Sequence, residues 1–218
     1  DAKDASDAKG GSAADGKSDG AAELKEPTKP TEPKKPNKVA AMEPYRDLFA
    51  DKLAAMVELS DPRAIEVAIK LFREEYKVRT AFVATEATLN KGELLAKHEV
   101  TLVMGPRLVE VQDGELINYP ADMAVAGVPL AFQSNAGTGT GNLPEVVAFS
   151  VYQGLGRSAA AAAMSHATAK FFQLETVGEL AVGRDADLVV LSGMPFDVST
   201  EVLAVMIDGK WVYEKENE

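Results

Sequence analysis

The side chains of this sequence that could bind a metal or transfer a proton are mostly carboxylates, with 34 of them in all, and this limits the chemistry. The chain has no cysteine and two histidines, which excludes thiolate nucleophiles, disulfides and thiolate metal sites. Glu58 and Glu86 are the carboxylates of most interest, because both lie where we expect strands to end. Two carboxylates at neighbouring strand ends could form a general acid/base pair, although solvated surface carboxylates are the simpler interpretation.

A glycine-rich loop at residues 137–142 is a second candidate site. Its glycines could present backbone N–H groups to a phosphate just before a helix start. It lacks the lysine of a Walker loop, so a flexible strand-to-helix connection is the simpler interpretation. The histidines are His98, just before a predicted strand, and His166, within an alanine-rich helix. We expect both to be surface or packing residues rather than ligands.

These residues lie in a sequence that alternates between helical and strand patterns from Tyr45 onward. Apolar residues at helical spacing predict an amphipathic helix over residues 63–76, opened by Asp61 and Pro62. Nearly continuous apolar runs predict the strands of a buried parallel sheet, and the alternation predicts an α/β fold. We place strands at residues 78–84, 100–104 and 128–133, and helices at residues 91–97, 121–126, 143–153 and 158–174, with Ser158 as the last N-cap.

The pattern changes after Gly178, where short strands predict a small antiparallel β unit. Strands are expected at residues 179–182, 187–191 and 202–213. The last of them is predicted to fold into a tight hairpin at Asp208 and Gly209.

Composition and charge limit the kinds of partner that this chain could bind. The 34 acidic and 23 basic residues give a formal net charge of −11, so nucleic acid would be repelled and we expect no nucleic-acid partner. No apolar run reaches about 18 residues, so we expect no membrane span and no membrane partner. The chain starts at Asp1 without a leader pattern, which predicts a processed chain or part of a longer one and leaves the localisation open.

Residues 1–38 differ in composition from the rest of the chain. Leu24 is their only large apolar side chain, so burial cannot offset the entropy of ordering them. We predict a disordered low-complexity linker, extended where prolines recur between residues 27 and 36. A solvated spacer is the simpler interpretation, and a recognition arm is the alternative.

The C-terminal region carries a long string with fixed spacing. It reads VGELAVGRDADLVV at residues 177–190, followed by SGMP at residues 192–195 and VMIDG at residues 205–209. This string resembles the end of amidohydrolase-superfamily enzymes, most of all the imidazolonepropionase-like branch. The segment GVPLAFQSNAG at residues 127–137 is similar to the last barrel strand of that family. The resemblance covers roughly residues 45–214 and only the second half of the family's chain.

The resemblance implies a fold and a domain organisation. Residues 39–176 would form half of a TIM barrel, with strands resembling the family's strands five to eight. Residues 177–218 would form the C-terminal part of a small β-sandwich. Four strands of an eight-stranded barrel leave open edges. We therefore expect the partner to be the N-terminal half of the same protein or a complementary subunit, with the linker between the halves.

The resemblance also implies a chemistry, namely hydrolysis of non-peptide carbon–nitrogen bonds by water on one or two divalent metals. The family's strand-eight aspartate falls on Asn135, and its strand-six histidine falls near Val83. The strand-five position offers Glu58 and Ser60. We therefore predict no metal, with a single divalent ion such as zinc as the alternative, and no catalytic residue. The candidate binding residues are Glu58, Ser60, Thr85, Glu86, Ser134, Asn135 and Thr138.

Three hypotheses for the function remain open. In the first, which we favour, the protein is amidohydrolase-like, has lost the metal centre, and serves as a binding or structural module. In the second, it is an active metal-dependent hydrolase whose ligands come mainly from the missing half. In the third, the half-barrel is a scaffold subunit of a larger assembly.

Overall fold

The computed structural model describes residues 35, 37–105, 108–134 and 143–216. All of the elements below belong to one compact unit, residues 38–218. The predicted linker at residues 1–38 falls almost wholly outside the described residues, as do Asn135, Thr138 and the glycine-rich loop.

Helices and strands alternate along the chain, as the sequence predicts. The strands are β1 (Ala55–Glu58), β2 (Thr80–Val83), β3 (Thr101–Met104), β4 (Val109–Gln112), β5 (Glu115–Asn118), β6 (Leu130–Phe132), β7 (Leu188–Leu191), β8 (Val202–Ile207) and β9 (Lys210–Glu214). The helices are α1 (Glu43–Phe49), α2 (Pro62–Ile69), α3 (Glu86–Leu89), α4 (Gly92–Lys97), α5 (Tyr119–Val125), α6 (Leu143–Tyr152), α7 (Arg157–Met164) and α8 (His166–Phe172). A π-helical stretch, Lys70–Glu75, continues α2.

A parallel sheet lies at the centre of the fold. Its strands pair in the order β1, β2, β3 and β6, and every pair is parallel. This confirms the predicted α/β class with a parallel sheet. Apolar runs predicted three of these strands, at residues 78–84, 100–104 and 128–133. A strand that is apolar on both faces needs cover on both sides, as in a buried parallel sheet.

The two faces of this sheet carry side chains of different size. The face beneath the helices carries the larger residues Phe82, Leu102 and Leu130. The opposite face, which we call the small-residue face, carries Ala81, Val103 and Ala131. Phe171 of α8 packs against the small-residue face. The main core therefore lies between the sheet and one helical layer.

The helix after β1 begins where its sequence signals place it. The side chain of Asp61 accepts a hydrogen bond from the backbone N–H of Arg63 at 2.9 Å, and Pro62 occupies a position where no N–H is needed. Ile65 and Ile69 are buried against the sheet, as the predicted apolar stripe requires.

A hairpin of β4 and β5, which was not predicted from the sequence, lies between β3 and α5. Asp113 and Gly114 form its turn with φ values of 53° and 84°, as tight hairpin turns require. The side-chain N–H of Asn118 donates to the Ser150 carbonyl at 2.7 Å, and the Ser150 hydroxyl donates back to the Asn118 side-chain oxygen at 2.8 Å. Both residues are buried, so the base of the hairpin is fixed to α6.

The C-terminal region forms a three-stranded antiparallel sheet of β7, β8 and β9. The predicted turn at Asp208 and Gly209 is confirmed, with φ values of 49° and 73°. Trp211 pairs with Met206 across β8 and β9 and is half exposed. The strands present apolar side chains to solvent, among them Val189, Leu203, Ile207, Val212 and Tyr213.

Two predicted elements differ from the structure. Residues 179–182 are not a strand, because they turn between Gly178 and Gly183, and no described strand pairs with them. The alanine-rich helix begins at Arg157, without a side-chain cap from Ser158, and breaks at Ser165. The Ser165 hydroxyl donates to the carbonyl of Ala161 at 2.5 Å, a side-chain bond of the kind that competes with helical hydrogen bonds.

Helices in the described ranges are all too short or too polar to span a lipid bilayer.

Candidate functional site

A cleft of about 1030 Å³ lies at the carboxyl-terminal edge of the parallel sheet. The strands contribute Glu58 at the end of β1, Val83 and Thr85 at and after the end of β2, Gly105 after β3 and Gln133 after β6. The hairpin and α5 form a further wall. In parallel α/β folds the loops at this edge converge, and ligands bind there.

The predicted candidate Glu58 lies on the small-residue face of the sheet. It pairs directly with Val83, which pairs with Val103, which pairs with Ala131. Because paired residues of a sheet share one face, this row points the Glu58 carboxylate and the Val83 isopropyl group toward the same side. Both side chains line the cleft.

Thr85 and Glu86 also line the cleft, and the structure gives them different roles. The Thr85 hydroxyl donates to the carbonyl of Leu59 at 2.6 Å and accepts from the backbone N–H of Thr88 at 3.4 Å. The Thr88 hydroxyl accepts from the backbone N–H of Thr85 at 2.8 Å, which completes a capping box for α3. Thr85 therefore joins the ends of β1 and β2 and fixes the exposed Glu86 at the first turn of α3.

The hairpin and α5 add Tyr119 and Glu110, which are not among the candidates predicted from the sequence. The Tyr119 hydroxyl donates to a side-chain oxygen of Glu110 at 3.3 Å. Burial raises the pKa of Tyr119, and the negative charges of Glu110, Glu86 and Asp122 raise it further. Both residues are half-buried and line the cleft, so the phenol presents a neutral hydroxyl among carboxylates.

A sequence signal for these two residues existed. Asp113 and Gly114 lie between runs that pair as β4 and β5, and an Asp-Gly dipeptide between β-prone runs is a strong hairpin signal. A hairpin predicted there would have paired Glu110 with Ile117 and placed Tyr119, two residues further on, on the same face as Glu110.

The remaining predicted candidates lie elsewhere or outside the description. Ser60 is exposed beyond β1, and Ser134 is half-buried beyond Gln133; neither is among the residues that line the cleft. Asn135 and Thr138 lie outside the described residues.

The histidines lie away from the cleft. His98 follows α4, on the side where β3 begins, and its ring nitrogen is 3.7 Å from the carboxylate of Glu74. His166 is the exposed first residue of α8. The cleft-lining residues include neither of them.

The described part of the cleft does not fit the metal centre that the resemblance implies. Its strand ends carry a carboxylate at Glu58, an alkyl group at Val83, no side chain at Gly105 and a carboxamide at Gln133. Within residues 37–105, 108–134 and 143–216, no three His, Cys, Asp or Glu side chains are grouped to hold a metal ion. Divalent zinc sites draw on imidazole, thiolate and carboxylate ligands.

A second hollow of about 760 Å³ lies against α8. It is near the amino-terminal end of the sheet, since the carbonyl of Phe171 in α8 accepts from Arg79, just before β2. Arg184 and Glu179, which line it, pair with each other at 2.7 Å. The carboxyl-edge cleft is the better candidate, because it lies where the loops after parallel strands meet.

Solved structures of longer proteins show the same fold, and each match covers about half of the other chain. An amidohydrolase from Thermotoga maritima MSB8 is 24% identical with a TM-score of 0.69, and the match covers 83% of this chain and 48% of that one. A 5-methylcytosine deaminase from Klebsiella pneumoniae, liganded with phosphonocytosine, is 18% identical with a TM-score of 0.58, covering 75% and 49%. A β-aspartyl dipeptidase from Fervidobacterium islandicum AW-1 is 13% identical with a TM-score of 0.54, covering 74% and 48%. The chain thus spans about half the length of these structures.

The sequence itself gives a family match. No curated protein matches the chain. The sequence model of the amidohydrolase family matches residues 58–212, a range that starts at Glu58 in β1 and ends within β9. It therefore includes both the strand ends of the cleft and the C-terminal sheet. The chain belongs to the amidohydrolase family.

Proposed function

We propose that this chain is the second half of an amidohydrolase-type barrel, and that its cleft binds a small ligand without a hydrolytic metal centre. Val83 carries the proposal. It lines the cleft at the strand end where the resemblance expects a histidine ligand, and an isopropyl group has no lone pair for a metal. Glu58, its direct neighbour in the sheet, could supply at most one carboxylate.

The lining of the cleft supports binding of a small molecule with polar and apolar parts. Tyr119 offers a hydroxyl and Gln133 a carboxamide, while Met123 and Leu89 offer apolar contacts. Small-molecule sites combine such apolar walls with a few polar groups that fix the ligand's orientation. The position of Glu110, held by Tyr119, would select ligands that carry a hydrogen-bond donor.

The proposal also concerns the part of the barrel that this chain does not supply. The N-terminal half of the same protein, or a complementary subunit, would supply the remaining barrel strands and the opposite wall of the cleft. The C-terminal sheet would then belong to a β-sandwich of the imidazolonepropionase-like type. The apolar side chains that this sheet presents to solvent support such a covering layer.

Glu58 supports a second candidate function. A carboxylate at a strand end, directed to the cleft, could be one ligand of a divalent metal whose other ligands come from the missing half. In that case the protein would be an active hydrolase of carbon–nitrogen bonds, as its family membership suggests.

Metal analysis of the intact protein separates the two functions. We expect protein purified without chelators to hold no stoichiometric zinc, manganese or iron. One full equivalent of any of them would overturn the proposed function and favour the second candidate.

Two variants test the assignment of the strand ends. We expect Asn135→Asp alone to bind no zinc, because the position of Val83 still lacks a ligand atom, and Val83→His combined with Asn135→Asp to bind zinc measurably. Val83→Thr combined with Asn135→Asp is the matched control, since threonine keeps the shape of valine without an imidazole. Hydrolytic activity gained by Asn135→Asp alone would contradict the role assigned to Val83.

A further inference from the structure

The charged side chains that line the described part of the carboxyl-edge cleft are all acidic. Glu58 lies at the end of β1, Glu86 in the first turn of α3, Glu110 on β4 and Asp122 on α5. Among the described lining residues there is no lysine, arginine or histidine. Because the four carboxylates come from four separate elements, it is the fold that brings them to one cleft.

Three of these carboxylates have no partner within the described chain. Glu58, Glu86 and Asp122 are exposed, and within the described ranges their carboxylates form no ion pair or hydrogen bond with another residue. Glu110, by contrast, accepts a hydrogen bond from Tyr119. A cleft lined by charges of one sign focuses their field and raises the local concentration of molecules of the opposite charge.

The field of these carboxylates acts on Tyr119 in the wall of the cleft. Burial raises the pKa of Tyr119 most, and the negative charges of Glu110, Glu86 and Asp122 raise it further. The charges of three elements thus act together at one phenol. The ring of that phenol is also a surface for an organic cation, because the face of an aromatic ring attracts positive charge.

The rest of the lining suits an organic cation better than a bare metal ion. Leu89 and Met123 supply apolar walls, which an organic molecule can contact and a metal ion cannot use. A divalent ion needs several oxygen ligands around one point, and within the described ranges no three acidic side chains are grouped to hold one. The volume of about 1030 Å³ is close to the upper end for small-molecule sites, about 1,000 Å³.

We infer that the cleft selects a small organic cation, whose ammonium or guanidinium group is held beside Tyr119 by Glu86 and Asp122. The carbon chain of this ligand packs on Leu89 and Met123. The inference rests on the proposed function, which makes the cleft a binding site, and it adds the charge of the ligand.

Ligand-observed NMR titration of the intact protein tests the charge of the ligand. The probes are three molecules that share a pentyl chain, namely pentylammonium, 1-pentanol and hexanoate. We expect pentylammonium to bind about tenfold more tightly than 1-pentanol, since two exposed ion pairs contribute about threefold each. Added salt should weaken pentylammonium alone, because it screens exposed charges, and hexanoate should not bind.

Three results of this titration would overturn the inference. They are equal binding of pentylammonium and 1-pentanol, tighter binding of hexanoate than of pentylammonium, and no binding of pentylammonium.

Two substitutions test where the cation lies. Glu86→Gln and Asp122→Asn each remove one charge and keep the size of an exposed side chain. We expect each to weaken pentylammonium binding about threefold and to leave 1-pentanol binding unchanged. Glu214→Gln is the matched control, because Glu214 is exposed on β9 and is not among the cleft-lining residues. An equal effect of the control would show non-specific attraction to an acidic protein and contradict the inference.

Failure of this inference can be told apart from failure of the proposed function. A full equivalent of metal in the intact protein would overturn the proposed function, whatever the three probes do. A metal-free cleft that binds 1-pentanol as tightly as pentylammonium would keep the proposed function and lose only the preference for a cation.

Discussion

At the scale of single residues, the cleft depends on side chains that hold one another in place. Thr85 bonds to the carbonyl of Leu59, Asn118 fixes the base of the hairpin through Ser150, and Tyr119 bonds to Glu110. Each of these bonds joins residues from different elements or from the two ends of one element. A residue chosen from the sequence as a binding candidate, Thr85, is therefore already engaged in structural hydrogen bonds.

Tyr119 gives a prediction at alkaline pH. Burial raises its pKa above 10.0 in the folded state, so the neutral phenol stabilises the fold below pH 10 and that contribution is lost as the pH rises through the folded-state value. We expect Tyr119→Phe to lose about 1 kcal/mol of unfolding free energy at pH 7 and to lack this alkaline component. Urea unfolding between pH 7 and pH 11 measures both, with Tyr152→Phe as control. Equal losses in the two variants would contradict the prediction.

At the scale of elements, one arginine joins three segments at the amino-terminal end of the sheet. Arg79, just before β2, donates to the carboxylate of Asp51 at 2.6 Å, to the carbonyl of Asp51 at 2.9 Å and to the carbonyl of Phe171. The side chain of Gln173 also donates to Asp51, at 3.1 Å. These contacts hold the end of α8 beneath the strands.

Asp51 gives a prediction at acidic pH. Hydrogen bonding from Arg79 lowers the pKa of Asp51 below 3.8, so the ionised carboxylate stabilises the fold above that pH, and the contribution is lost as the pH falls through the folded-state value. We expect Asp51→Asn to remove part of the stability loss measured below pH 4 by thermal unfolding. Asp113→Asn, at the hairpin tip, should leave that loss unchanged; an equal effect of both substitutions would disprove the role of Arg79.

Gly178 gives a prediction about packing. Its φ is 92°, and a Cβ built on it would lie 2.6 Å from the Cβ of Ala169 and 3.1 Å from the Cα of His166. Gly183 has a similar φ of 85° and no atom within 4 Å of such a Cβ. We expect Gly183→Ala to cost about 1 kcal/mol from backbone strain alone and Gly178→Ala about 2 kcal/mol more, because it also overpacks α8. Denaturant unfolding measures both, and equal losses would show that the contact is relieved.

Some of these elements could be predicted from the sequence and others could not, for physical reasons. The buried strands and α2 could be predicted because their apolar patterns are local. The break at Ser165 and the turn at residues 179–182 could not be predicted. A hydroxyl bond decides the first, and the second lies beside no strand among the residues that the structure describes. Of the cleft, Glu58, Thr85 and Glu86 were found from the strand ends. Glu110 and Tyr119 could have been predicted only through the hairpin turn at Asp113 and Gly114, which brings the two segments together.

At the scale of the whole molecule, the proposed function rests on two regions of this unit. They are the C-terminal sheet, which exposes apolar side chains, and the cleft at the carboxyl-terminal edge of the parallel sheet. Family membership is shown over residues 58–212. Under the proposed function, the other half of the protein would pack against both regions.

The position of Phe171 has a consequence for where a molecule would lie in the proposed site. Its ring packs against Ala81, Val103 and Ala131, and Arg79 bonds to its backbone at the amino-terminal end of the strands. The small-residue face is therefore already covered there, and a ligand of the proposed cleft would be confined to the opposite end of the strands.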